Sequence, residues 1–245
     1  MKKLLFVIPF LALAACEGSI AEAVGSTAKS SFSDGTQITS TDANPGEFTG
    51  VTLAGPDNIV FTTGSEFSIR AEGDADTLEK LRYKITNGQL KVGRENSGMW
   101  SGSSSAAIVY VSAPSLESAK LSGSGDMQVD KMNGESAQLS VAGSGNIDIA
   151  EMETASLNTK IAGSGDISFS GRADDVQISI VGSGDIKGKA LKTEAAAIKI
   201  AGSGDVALSS DGTVDASIAG SGDIRIHGDA NCKIKTAGSG DVTCG

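Results

Sequence analysis

The chain of 245 residues carries 20 Lys and Arg against 30 Asp and Glu, a formal net charge of −10 at pH 7, with 4% aromatic residues and 32 glycines. So acidic a chain is ill suited to nucleic acid or to anionic lipid headgroups, because its own field repels both. Its length leaves room for one domain with a real core.

Residues 1–15 begin with Lys2 and Lys3 and continue as an apolar run from Leu4 to Ala15 that contains Pro9. The run is too short to span a bilayer and reads as a lipoprotein signal peptide. Leu13-Ala14-Ala15-Cys16 resembles a bacterial lipobox, which makes Cys16 the expected lipidation site; an ordinary signal peptide with an incidental cysteine is the other reading. Several acyl chains on Cys16 would hold the protein to a membrane stably. Glu17 comes next, not an aspartate, so an outer-membrane lipoprotein facing the periplasm or the outside is expected. Loss of Lys2 and Lys3 leaves 18 basic residues against 30 acidic, a net of −12. Residues 16–46 are rich in Ser, Thr, Ala and Gly without a period and read as a flexible tether.

The domain is then 47–245. Residues 48–61 read as two strands around LAGPDNI (53–59), and Phe67–Ala71 as another. Asp76–Leu81 suits a short helix, and Tyr83–Val92 a hairpin turning at Thr86-Asn87-Gly88. Residues 94–105, with the lone Trp100 among Gly and Ser, read as an exposed loop before Ala107–Val111 enters the regular part. This irregular start is expected to cap the regular coils, because a stack of repeats must not leave an open edge.

From 117 to 245 a GSGD-like turn recurs, its first glycine at Gly123, Gly143, Gly163, Gly182, Gly202, Gly220 and Gly238, and Gly55 takes the same place in a degenerate copy. A fixed period of 18–20 residues marks a solenoid. Aligned on that glycine, the positions two before (Leu121, Val141, Ile161) and four and six after (Ile147 and Ile149, Ile167 and Phe169) are apolar with mostly polar residues between, the pattern of strands with one buried face. Three before the glycine stand Lys120, Ser140, Lys160, Ser179, Lys199, Ser217 and Lys235, in strict alternation. Parallel rungs would put neighbours in this column about 4.8 Å apart, where adjacent ammonium groups would repel by about 1 kcal/mol even in water. Alternation is what such a stack wants. The competing geometry is an up-and-down array of hairpins with GSGD at every second turn.

Cys232 and Cys244 fall on inward columns either side of the last corner, and a disulfide between them would pin the final coil. The corner ends in Asp126, Asn146, Asp166, Asp185, Asp205, Asp223 and Asp241, a column of like charges. Each side chain could accept a hydrogen bond from its turn backbone, as Asx turns do; alternatively Ca²⁺ could bridge successive rungs. No other cofactor is suggested. A glycosidase needs two carboxyls in different environments, which a uniform ladder does not provide. His227 reads as a solvated turn residue, and the GSG corners, with no helix after them, are not nucleotide motifs.

The phrases GEFTGVTLAGPDNIVFTTG (47–64), FSIRAEGDADTLEKLRYKITNGQLKV (67–92) and VSAPSLESAKLSGSGDM (111–127), with the later corners, resemble the head GIN domain family of putative auto-transporter adhesins. The resemblance implies an all-β, single-stranded right-handed parallel β-helix, here with about 18–20 residues per coil and an irregular N-terminal cap. It implies no catalytic residues, and the chain lacks the translocator barrel of an auto-transporter. The expected function is a non-catalytic, lipid-anchored envelope adhesin or scaffold contacting a cell-surface glycan or protein, with self-association open. A polysaccharide-active β-helix enzyme and a calcium-stabilised spacer are the alternatives.

Overall fold

The computed structural model describes residues 32–95 and 105–245. The expected leader, Cys16 and Trp100 lie outside them. The described chain is 69% strand and 3% helix, wound into a parallel β-solenoid of about six turns.

The cap is built from β1 (Thr36–Gln37), β2 (Gly50–Gly55), β3 (Asn58–Thr63), β4 (Ser68–Glu72), the short helix α1 (Ala75–Lys80), β5 (Leu81–Thr86), β6 (Gln89–Arg94), β7 (Ile108–Ala113) and β8 (Ser118–Gly123). β5 and β6 form the expected hairpin, and its turn residues Asn87 and Gly88 have φ of 52° and 70°, the left-handed values a two-residue hairpin loop wants. The first strand pair of the cap is less linker-like than composition implies. Within the expected tether, Phe32 and Ile38 are only 4% and 1% exposed, β1 pairs antiparallel with β5, and Ala43 bridges to Ile69. Two isolated apolar side chains among Ser and Thr leave no period to read, so only the packing shows that the fold begins by Phe32.

The regular coils are β9 (Met127–Gly143), β10 (Ile147–Gly163), β11 (Ile167–Gly182), β12 (Ile186–Gly202) and β13 (Val206–Gly220), then β14 (Ile224–His227), β15 (Asn231–Gly238) and β16 (Val242–Cys244). All neighbours from β8 onward pair in parallel, which excludes the hairpin array. One coil shows how the sequence bends. In β10 the inward residues are Ile147, Ile149, Met152, Thr154, Leu157, Thr159 and Ile161. The alternation slips phase at Ala150-Glu151 and at Ala155-Ser156, two corners without glycine, and the third corner is Gly163–Asp166. Each coil is therefore three-sided around an aliphatic core.

Repeat length varies without disturbing the glycine corner. Register shifts fall between Ile149 and Met152, Ser168 and Ser170, and Gly188 and Lys192, whereas Gly55, Gly123, Gly143, Gly163, Gly182, Gly202, Gly220 and Gly238 stay opposite one another. The core compensates locally. Gly188 sits on an inward column because a Cβ there would lie 2.4 Å from the Phe169 ring of the coil before.

Candidate functional site

Each GSGD corner needs its two glycines for separate reasons. The first has φ of 129–145° from Gly123 to Gly238, a region costly for residues with a Cβ. The second, such as Gly145, has ordinary φ, but a Cβ there would lie 1.8 Å from the Gly125 carbonyl oxygen one coil earlier. Corners thus stack backbone on backbone, and each serine N–H donates to the first-glycine carbonyl of the preceding corner, as Ser164 does to Gly143 at 2.9 Å.

The corner carboxylates do not close turns within their own coil. Each but the last, Asp241, accepts from the N–H of the equivalent residue in the next coil. Asn146 N–H donates to Asp126 Oδ1 (2.9 Å), Asp166 N–H to Asn146 Oδ1 (3.0 Å) and Asp185 N–H to Asp166 Oδ1 (3.0 Å). Asp205 donates to Asp185 (2.9 Å), Asp223 to Asp205 (2.8 Å) and Asp241 to Asp223 (3.1 Å). The file starts at Asn58, whose Oδ1 accepts the Asp126 N–H at 2.9 Å. Sequence spacing revealed the column but not that its bonds run between coils. The amides of Asn58 and Asn146 serve because the required atom is an oxygen acceptor, charged or not.

Two corner carboxylates also hold cations, Asp166 Oδ2 with Lys187 Nζ at 2.7 Å and Asp223 Oδ2 with Arg225 Nη2 at 3.0 Å. Burial pushes the Asp166 carboxyl up, but Lys187 and the Asp185 N–H together outweigh it and hold the group below its ordinary value. The same bond, against burial, raises the Lys187 amine. Among the described residues no three or more His, Cys, Asp or Glu side chains converge to hold a metal ion.

The degenerate corner carries a site that the sequence did not announce. Asp57 stands where the later corners have their second glycine, and β6 ends at Arg94 on that side, so there is room for a side chain. Its carboxylate is fully buried and accepts from Arg94 Nε (2.8 Å), Arg94 Nη2 (2.6 Å) and the Ala107 N–H (2.8 Å). A buried charge is tolerable only when so paired, and the pairing joins residues far apart in sequence.

On the third side of the solenoid three outward files run side by side. The lysine–serine file is intact and longer than the repeat alone showed: Lys91, Thr52, Lys120, Ser140, Lys160, Ser179, Lys199, Ser217 and Lys235 lie on successive strands. Flanking it are a hydrogen-bonding file that includes Ser118, Gln138, Asn158 and Gln177, and a small apolar file that includes Ala54, Ala142, Ala162, Val181 and Ala201. At the cap end a cleft of about 210 Å³ opens beside Thr86, Asn87, Lys91 and Lys120. Burial first, then Lys91 and Lys160, push the Lys120 amine below its ordinary value.

Elsewhere, a shallow open depression brings Glu153 and Asp174 near Arg172, which bridges Asp174 and Glu194 rather than leaving two carboxyls face to face. Cys232 and Cys244 are disulfide-bonded, Cα to Cα 6.5 Å, and by register they lie over Val214 and Ile226 at the end of the core. His227 ends β14 beside Gly228 and belongs to none of these files.

These features define a capped parallel β-solenoid whose outward files lie on its sheet faces. The chain belongs to the family described as "Putative auto-transporter adhesin, head GIN domain", whose model matches residues 47–230. Among solved structures, it is similar to one described as a putative adhesin from Bacteroides fragilis, with TM-score 0.76 at 20% identity over 82% of this chain and 94% of that one. It is also similar to one described as a putative lipid binding protein from Parabacteroides distasonis, with TM-score 0.66 at 19% identity over 85% and 98%. A further Parabacteroides distasonis structure, described as a putative adhesin, has TM-score 0.60 at 22% identity over 85% and 97%. No curated protein matches the chain.

Proposed function

We propose that the protein is a non-catalytic adhesin or scaffold of the bacterial cell envelope, anchored at the outer membrane through acyl chains on Cys16. Its flat third side contacts a surface glycan or protein. The observation that carries this reading is the unbroken three-file face running from the cap to the last coil, held rigid by corners stacked backbone on backbone. The family's description and the adhesin descriptions of similar folds support it. Cells lacking the protein should lose adherence to glycan-coated surfaces, wild type should restore it, and Cys16→Ser should release the protein to the soluble fraction and fail to restore it. Unchanged adherence in the deletion strain would refute the proposal.

The depression at Glu153, Asp174 and Arg172 favours the enzymatic alternative. Acidic polysaccharides incubated with the protein should release no reducing ends. Release that Glu153→Gln and Asp174→Asn abolish would replace the adhesin reading with a catalytic one.

A further inference from the structure

The protein is strongly acidic, yet one of its sides is not. Across the three files of the third side the only carboxylate is Asp215, near the last coil. Elsewhere Lys84, Lys131 and Lys187 find acidic partners, while Lys189, Lys192 and Lys233 form no ion pair among the described residues. Lys91, Lys120, Lys160, Lys199 and Lys235 form no ion pair among the described residues. Five uncompensated cations on a line, in a chain with carboxylates to spare, are a surface left ready for an anion.

The spacing restricts which anion. Lysines on alternate strands recur every ~9.6 Å, twice the separation of neighbouring strands. Duplex nucleic acid presents a charge about every 1.7 Å along its axis, far denser than this file. A membrane would present charge in two dimensions, whereas the cations here form a single row, apart from Lys233 beside Asp215 in the flanking file. On one side of the row lie side-chain amides, Gln138, Asn158 and Gln177, able to meet sugar hydroxyls. On the other lies a smooth shelf of Ala142, Ala162 and Val181, the last 48% exposed, against which the apolar face of a pyranose can rest.

We propose that this side of the solenoid binds a linear acidic polysaccharide, laid along the solenoid axis with one carboxylate, sulfate or phosphate per disaccharide facing each lysine from Lys91 to Lys235. The inference rests on the adhesin reading and names its ligand class and its site. The cleft beside Lys91 and Lys120 is where the row meets the hairpin turn at Asn87, a stop for one end of the bound chain. Lys120, held below its usual amine value by burial and by Lys91 and Lys160, gains most from an anion placed between its neighbours.

The test uses the full-length protein in detergent and four probes. These are hyaluronan, which carries one carboxylate per disaccharide, its carboxyl-reduced form, single-stranded DNA, and phosphatidylglycerol vesicles. Hyaluronan should bind, and its affinity should fall with salt as counterions are displaced; the carboxyl-reduced form should not bind. Lys120→Gln and Lys160→Gln should each weaken binding about threefold to tenfold, in line with about 1 kcal/mol per charge contact. Lys131→Gln and Lys187→Gln, both already ion-paired on other sides, should leave it unchanged. Melting curves of each variant establish that the fold persists. Hyaluronan binding that is absent, or indifferent to Lys120→Gln and Lys160→Gln, overturns the proposal. So does equal or tighter lysine-dependent binding to the DNA or the vesicles. Cells expressing Lys120→Gln with Lys160→Gln separate this proposal from the broader one: adherence kept with hyaluronan binding lost refutes the strip as the adhesive surface and leaves the adhesin reading standing.

Discussion

At a single corner position, the side-chain oxygen of residue 185 matters and its charge matters less. Asp185→Ala leaves the Asp205 N–H without its acceptor and should cost about 1 kcal/mol. Asp185→Asn keeps the oxygen, as Asn146 does naturally, and should be nearly neutral by chemical denaturation. Gly145→Ala should be worse than either, by about 1–3 kcal/mol, because the clash is with backbone and no rotamer relieves it. Acid should act through Asp166. Its folded-state value lies below the unfolded one, so its contribution is present above the ordinary carboxylate range and is lost as pH falls through the depressed value. The melting temperature should therefore drop below about pH 4, and Lys187→Gln should flatten part of that drop. Adding Ca²⁺ or a chelator should leave melting unchanged; a rise with Ca²⁺ would mean that the corner oxygens gather around a cation after all.

Among the elements, the final coil is the least covered: Ile234 in β15 is 45% exposed although its register places it on an inward column. The Cys232–Cys244 bond closes a loop there, with sequence separation 12. Replacing both cysteines with serine should cost about 2–3 kcal/mol, and hydrogen exchange should quicken over 224–245 while β10 to β12 keep their protection. Legibility of the sequence at this level comes from periodicity. Parallel coils repeat both their apolar columns and their corner, so the strands, their register and even the lysine–serine file can be read from spacing. The two non-glycine corners, the short helix end at Lys80 and the packing of Phe32 and Ile38 have no repeat to advertise them. Asp57 was visible only as an irregularity, because its meaning lies in Arg94 and Ala107, brought in from elsewhere in the cap.

For the whole molecule, alternation of the lysines makes coil number a matter of parity. Deleting residues 164–182 removes one coil and sets Lys160 beside Lys199, about 4.8 Å away. Deleting 164–202 removes two and sets Lys160 beside Ser217, and takes Phe169 and Gly188 out together. The first variant should gain stability with added salt, as screened repulsion does, and the second should respond to salt like the parent; identical salt responses would show that the file does not govern stacking. The corner bonds add a polarity to this growth. Every side-chain bond of the corner file has its acceptor in the earlier coil and its donor in the later, from Asn58 to Asp241, while the backbone bond beside it runs the other way, as from the Met127 N–H to the Asn146 carbonyl. A chain that lays down its turns from the amino end therefore meets, at each step, a template already furnished by the turn before. That polarity predicts assembly by accretion along one direction, so a chain truncated after Gly202 should keep its earlier coils protected in hydrogen exchange, and loss of all protection would refute it.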